Sequence, residues 1–588
     1  MIIERDVPIS TTDGIILRAD IFRPDNNVPV PVIMNLGPYG KGVPWKDGYP
    51  SSWEYMISTY PNWLPVSTRS YITWETVDPE IWVPWGYACV RVDSRGAGRS
   101  PGKMDLFSPR EVQDYYEAIE WGGVQSWSNG KVGLHGISYY AINQWLVAAL
   151  QPPHLAAMIP WEGAADFYRD FARHGGILCN MFLDPWFQQR ILPVQHGNPK
   201  GQLDPWLGLS ATGPEVSDED ELAANRVDPL SEVVAHTLDD QFYRDRSVDW
   251  SRVVVPFLSA ANLAGSGLHP RGNFEAFTQA ASTQKWLECH PGKHEEWFYL
   301  EESTVMAKRF LDHFLKGIDN GRDHEPRVWI HLRRPFSSNF ELRKQQQWPL
   351  ANTKWTLIYL SAQNRSLEWE EPKMSEPASI TFKALGNPIT FLTGPLEDET
   401  ELTGPIGATL FVSSSTTDAD LFLTLQAFAP DGREVEFRGA SELHAPLAQG
   451  WLRASQRKLD ITYSKVYRPY HPHDESWPLE PGTIYELQVE ILPTSIVLPA
   501  GYRLGLQISG HDFEREGPAK FSERWDTNGS GPFLHQHPVD RPTDVYGGNT
   551  TIHTGGSTTS YLTLPVVGAL RNGDIHPRVQ MNGSANRR

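Results

Sequence analysis

The chain has 588 residues, too many for one compact core, and a usual domain size divides it into roughly three or four units. Hydrophobic residues make up 40% and charged residues 21%, ordinary globular usage that excludes disordered and fibrous classes. A formal net charge of −19 argues against nonspecific attraction to nucleic acid or anionic lipid, both of which need clustered Lys and Arg.

The cysteines Cys89, Cys179 and Cys289 give neither a disulfide framework nor a paired metal spacing, and fit a reducing compartment. The opening MIIERDVPISTTDGIILRADIFRP carries acids and alternates like a strand, unlike a signal or transit sequence. No run of about 18 apolar residues is present to span a membrane. These readings predict a cytoplasmic protein with no nucleic-acid or membrane partner.

In chain order, Ile15–Phe22, Val32–Leu36, Tyr87–Asp93, Lys131–Gly136 and Ala156–Trp161 read as strands, with helices over Arg110–Trp121 and Tyr139–Leu150. In the second helix Ile142, Trp145, Leu146, Ala149 and Leu150 make one apolar stripe. Strands alternating with helices predict a largely parallel sheet covered on both faces. From Asp166 to about Trp250 the strand signal gives way to aromatics such as Phe167, Phe171 and Trp186, read as an inserted helical cap. The parallel pattern resumes at Val255–Ala260, and Thr304–Lys316 reads as a helix stopped by Gly317.

Past Trp348 the pattern becomes strict alternation, as in Leu421, Leu423, Leu425 and in Leu487, Val489, Ile491, broken by turns at Pro430-Asp431-Gly432 and Pro481-Gly482. The fold class expected is therefore α/β: a parallel-sheet core in residues 1–165 and 251–347, a helical cap in 166–250, and an antiparallel β-sandwich of jelly-roll type in 348–588. The last dozen residues are polar and read as a frayed end. A sandwich of this size offers surface for self-association into a homo-oligomer.

The stretch GLHGISYYAINQW places Ser138 where a strand gives way to a helix, the position that exposes a serine oxygen above a sheet with a helix N-terminus behind it. Gly136 supplies the small residue such a turn needs, whereas the generic G-x-S-x-G pattern wants glycine at Tyr140. The wider text resembles the cocaine-esterase-like hydrolases (CocE/NonD) and their relatives, the X-Pro dipeptidyl peptidases and α-amino acid ester hydrolases. GISYYA resembles their G-x-S-Y-x-G turn with Ala141 in place of the last glycine. PYGKG at Pro38–Gly42, DSRGAGRSPG at Asp93–Gly102, RFLDHFLKGIDNG at Arg309–Gly321 and then STTDADLFLTL, GWLRAS and LPAGYRLGLQIS follow in the family's order.

The resemblance implies that Ser138 attacks a carbonyl while the Tyr39 hydroxyl and the Tyr139 backbone N–H hold the oxyanion. It places the catalytic histidine at His294 in HPGKHEEWFY, with His290 and His269 as competitors. Pro291-Gly292 breaks the helix that a His290/His294 metal pair would need, and no metal or organic cofactor is expected. His135 reads as a core residue, and His535 and His537 as members of a solvated loop. The family's acid position falls at Ala264, so the acid expected here is Glu162, at the end of the strand after the nucleophile's helix, with Asp166 second and an acid-free dyad third.

The resemblance implies an α/β-hydrolase core and hydrolysis of a carboxylic ester or amide through an acyl-enzyme, and the aromatic cap suggests a small apolar or aromatic acyl group. Acyl transfer by the same residues, an X-Pro type aminopeptidase and a silent binding protein are the alternatives.

Overall fold

A computed structural model describes residues 1–61, 63, 66–215, 218–371, 376–515 and 527–568; the polar end of the chain lies outside them. Ten strands form the first sheet: β1 (Ile2–Ser10), β2 (Ile16–Arg23), β3 (Val30–Gly37), β4 (Ala88–Asp93), β5 (Ser128–Ile137), β6 (Leu155–Trp161), β7 (Phe257–Asn262), β8 (Lys285–His290), β9 (Val328–Leu332) and β10 (Glu341–Gln345). Their order is β1-β2-β4-β3-β5-β6-β7-β8-β9-β10. The run from β4 to β9 is parallel, and β1, β2 and β10 are antiparallel edges. Every residue of β3 and β4 is buried, which is why these strands read as unbroken apolar runs instead of alternating ones.

Helix α1 (Pro109–Gly123) starts with Pro109 behind Ser108, whose side chain accepts from the Glu111 N–H. Helix α2 (Tyr139–Ala148) is buried on all sides, so its apolar stripe is only part of what it packs. Its polar residues bond inward: Asn143 donates to the Leu36 carbonyl at 2.5 Å and Gln144 to the Tyr140 carbonyl at 2.6 Å. Helix α3 (Pro270–Gln279) follows β7, and α4 (Glu301–Lys316) ends on Gly317 at φ 69°, the left-handed residue that lets the chain leave the helix.

Between β6 and β7 the chain forms short helical turns, among them Phe167–Ala172, Asn180–Trp186 and Pro229–Ala235, that lie over the ends of the parallel strands. Phe107 stacks on Tyr139 at 4.1 Å and packs against Phe167 at 5.8 Å and Phe171 at 6.1 Å, so these aromatics tie the first turn to the core.

Most of the described C-terminal strands form one eleven-stranded sheet, and Glu442–His444 pairs separately with Thr527–Asn528. Its longest strand, β11 (Thr400–Ser414), pairs with β12 (Tyr485–Leu498) and also with β13 (Tyr561–Val567), so the sheet bends back on itself as a barrel-like wall. The alternating leucines point into its core. The two parts share a seam: Arg333, fully buried, donates to the Ser495 carbonyl and to Thr494 Oγ1, and Val497 and Val567 pack with Leu287 and Val328. No described helix is long and apolar enough to cross a membrane.

Candidate active site

Ser138 sits between β5 and α2 at φ 55° and ψ −115°, a backbone region that costs about 1–3 kcal/mol and persists only where the surroundings impose it. They do so here: the Ser138 N–H donates to the Trp161 carbonyl at 3.0 Å, and the Ile137 N–H to the Glu75 carbonyl at 3.2 Å. A Cβ on Gly136 would lie 2.6 Å from Tyr140 Cβ and from Asn35 Nδ2, so only glycine fits before the serine. The generic glycine after the serine is dispensable because Gly37 opens the space that the Tyr140 ring fills. Ala141 stays small because it faces Gly163, where an added Cβ would approach it to 2.9 Å.

The Ser138 hydroxyl meets His269, not His294: Oγ lies 3.1 Å from His269 Nε2. The expected partner, His294, stacks on the His269 ring with centroids 4.9 Å apart and planes 10° apart. Its nitrogens are engaged elsewhere, Nδ1 with Glu162 Oε2 at 2.6 Å and Nε2 with Glu75 Oε1 at 3.0 Å. The physical reason is charge. A histidine with a carboxylate at each end is held as an imidazolium, and burial does not offset the two partners, so its pKa lies well above the usual histidine range.

Glu162 is the centre of the cluster. It ends β6 at φ 52°, fixed by its N–H to the Ala260 carbonyl at 2.7 Å. Oε2 also lies 3.8 Å from His269 Nδ1, while Oε1 takes His290 Nε2 and Asn262 Nδ2, each at 3.2 Å. Burial alone would raise its pKa, but His294 and His290 outweigh it and hold the carboxyl at about 2. The chain of contacts continues through His290 Nδ1 to Glu288 at 2.6 Å. Burial lowers the basicity of His290, but Glu288 and Glu162 lift it to about 9. Glu75 has the opposite fate: burial dominates the help from His294, and it titrates at about 7.

His269 is pushed down to about 3, by burial first and by the His294 charge second. It is therefore a neutral imidazole at neutral pH, with Nε2 facing the serine hydroxyl, and a weaker base than an ordinary histidine. Glu162, His269 and His294 each offer a donor atom within 4.8 Å of the others.

Tyr39 stands on the PYGKG turn. The turn is anchored by Lys41, whose N–H donates to Asp93 Oδ1 at 2.6 Å and whose ammonium lies 3.3–3.6 Å from Asp6, Asp20 and Asp93. The DSRGAGRSPG loop closes around the same Asp93, where a Cβ on Gly98 would meet the carboxylate at 2.2 Å. Burial keeps the Tyr39 phenol protonated, and its oxygen accepts from Trp186 Nε1 at 3.4 Å, leaving its O–H to donate. The Tyr139 side chain is committed to Glu111 at 2.7 Å, so only its backbone N–H, at the start of α2, faces the serine turn.

Asp166 accepts from the Arg169 N–H and guanidinium, a local cap and ion pair. Ala264 brings no acid and bonds through its N–H to Asn262. His135 is a core residue between Trp82 and Phe298. His535 is not in a solvated loop: it is fully buried against His174. Glu75 had no signal in the sequence, lying on a loop of no recognisable motif.

A parallel sheet of this order, with a left-handed serine at the tip of β5 and histidines on the loops after β7 and β8, defines an α/β hydrolase. Residues 13–296 match the X-Pro dipeptidyl-peptidase (S15 family) model, and residues 320–563 match that of the X-Pro dipeptidyl-peptidase C-terminal non-catalytic domain. A solved CocE/NonD family hydrolase from Staphylococcus aureus is 32% identical, with a TM-score of 0.82 over 96% of this chain and 94% of that one. The cocaine esterase of a Rhodococcus species is 25% identical, over 96% of this chain and 98% of its own. An α-amino acid ester hydrolase, 15% identical with a TM-score of 0.65 over 96% of each chain, shares the fold. The chain belongs to the CocE/NonD family of hydrolases.

Proposed function

We propose that the protein is a serine hydrolase that cleaves a carboxylic ester or amide through an acyl-enzyme on Ser138. The observation that carries the reading is the 3.1 Å contact of Ser138 Oγ with a neutral, buried His269. In the first step Oγ bonds to the substrate carbonyl carbon, its proton passes to His269 Nε2, and the carbonyl oxygen becomes an oxyanion. The Tyr39 hydroxyl and the Tyr139 N–H receive that charge. One such donor is worth about 3–4 kcal/mol.

The imidazolium formed on His269 faces the Glu162 carboxylate across 3.8 Å, returns its proton to the departing alcohol or amine, and then takes one from the water that releases the acid. A cavity lined by Tyr39, Tyr49, Trp74 and Tyr140, with Gln189 and Arg190 as its polar side, shares Tyr39 with the site, and we read its aromatic walls as the seat of a small apolar or aromatic acyl group. The C-terminal part, whose sheet we read as a jelly roll, touches the site through a loop, where the Ala440 carbonyl accepts from the His294 N–H.

A second reading makes His294 the base. It is favoured by the 2.6 Å bond of His294 Nδ1 to Glu162, the histidine–acid half of a triad. It requires the ring to exchange Glu75 for Ser138 and to release its proton at neutral pH, and the ion pairs on both nitrogens oppose both steps.

The test of the function is the mass of the protein after a p-nitrophenyl ester is added and the reaction is quenched with acid. An acyl adduct on the Ser138 peptide, absent from Ser138→Ala, supports the acyl-enzyme. Turnover with no adduct, and turnover kept by Ser138→Ala, would refute it.

A further inference from the structure

Away from Ser138, the structure brings His174, Cys179 and His535 together, with one donor atom of each within 4.8 Å of the others. All three are buried. They come from parts of the chain far apart in sequence. His174 lies in, and Cys179 directly follows, a tight hairpin, Arg173–His174 paired with Ile177–Leu178, that comes after the first turn beyond β6. Its turn residue Gly175 is pressed against the strand Ala448–Arg453, where a Cβ would lie 2.1 Å from the Trp451 carbonyl oxygen. His535 belongs to a C-terminal segment that crosses back over this hairpin: Met181 N–H donates to the Leu534 carbonyl at 3.3 Å and Gln536 N–H to Asn180 Oδ1 at 2.9 Å.

The second observation is the support behind His535. Asp512, 3% exposed, accepts from His535 Nδ1 at 2.7 Å and from the His535 backbone N–H at 2.8 Å. That carboxylate fixes the proton on Nδ1, so Nε2 presents a lone pair toward His174, whose Nδ1 is 2.9 Å away. A carboxylate holding the far nitrogen of a histidine is the arrangement that orients metal-binding imidazoles. The near nitrogens of two histidines and one thiol form a soft, mixed nitrogen and sulfur set, which suits a tetrahedral divalent cation of the zinc class with water in the fourth position.

We propose that His174, Cys179 and His535 form a zinc-class metal site that staples the hairpin after β6 to the C-terminal domain, with Asp512 as its positioning residue. On binding, Cys179 loses its thiol proton to solvent, and the proton between the facing nitrogens leaves His174 Nδ1 and is carried on that ring's Nε2, so that Nδ1 is free to ligate. The site also bears on the catalytic loop, because Gly267, two residues before His269, packs against Phe533 so closely that a Cβ would fall 2.0 Å from the ring.

The test uses the full chain, stripped with a chelator, reloaded with Zn(II) or Co(II), dialysed and measured for metal content and for cobalt–thiolate absorption. Expected are one ion per chain and a thiolate band, both lost in Cys179→Ser and His535→Gln. Asp512→Asn should weaken binding about 10–100-fold, and His294→Ala should bind as the wild type does. Circular dichroism shows whether each variant is folded. Should Cys179→Ser misfold, the thiolate band of the wild type and alkylation of Cys179, blocked by zinc, read the same ligand. The proposal is overturned if the wild type retains no metal, if folded Cys179→Ser retains it fully, or if the ion is lost with His294→Ala, which would place it at Glu162 and His269.

Discussion

Replacing Glu162 by Gln keeps the shape of the side chain and removes the charge shared by His269, His290 and His294. Holding a glutamate at about 2, when an ordinary one titrates near about 4.3, corresponds to roughly 3 kcal/mol in favour of the ionised form. Glu162 is fully buried, so solvent does not screen this interaction. Because the folded-state value is depressed, the stabilisation is fully present above the unfolded value of about 4.3 and is lost as pH falls through about 2. Glu162→Gln should therefore melt at a lower temperature than the wild type at pH 7, and the gap should close as pH is lowered through that window.

The catalytic loss is larger. Without the carboxylate 3.8 Å from its Nδ1 the imidazolium on His269 loses its nearest counter-charge, and kcat should fall about 10³–10⁴-fold. The assay is ester hydrolysis at saturating substrate, with thermal melting on the same samples. A folded Glu162→Gln enzyme within about tenfold of the wild-type kcat would refute the role given to Glu162.

Three further outcomes follow from the same contacts. Because His269 titrates at about 3 and Glu75 at about 7, a kcat/KM titration near neutrality belongs to Glu75. Glu75→Gln should remove it, and a limb that survives in that variant would point to a histidine base near pH 7. Tyr39→Phe should lower kcat about 10²–10³-fold with KM little changed, the mark of a contact made in the transition state; an equal rise in KM would contradict that. Lys41→Met strips the ammonium from Asp20 and Asp93, both buried, and should cost about 3–5 kcal/mol, read as a lower melting temperature. An unchanged melt would remove Lys41 from the account.

What the sequence could show was local. Ser138 was legible because a strand, a turn and a helix adjoin in thirteen residues, and Glu162 because it is the carboxylate that directly follows the apolar run of the next strand. The alternating leucines announced the C-terminal sheet but not its closure, which depends on β13 returning to β11 across some 150 residues. The choice between His269 and His294 was not legible. Both lie on loops at the same end of the sheet, and what separates them is the second carboxylate on His294, supplied by Glu75 from a distant loop. His535 looked like a loop residue because its neighbours are polar, yet it is buried by a hairpin more than 350 residues earlier in the chain.

The most direct measurement of the central claim is the rate at which a fluorophosphonate labels Ser138 in the wild type and in His269→Ala and His294→Ala, with the modified peptide mapped by mass. The account predicts label on Ser138, a loss of about 10²–10⁴-fold in His269→Ala, and a smaller effect in His294→Ala. Label that persists in His269→Ala and vanishes in His294→Ala would contradict it, and would make His294 the base.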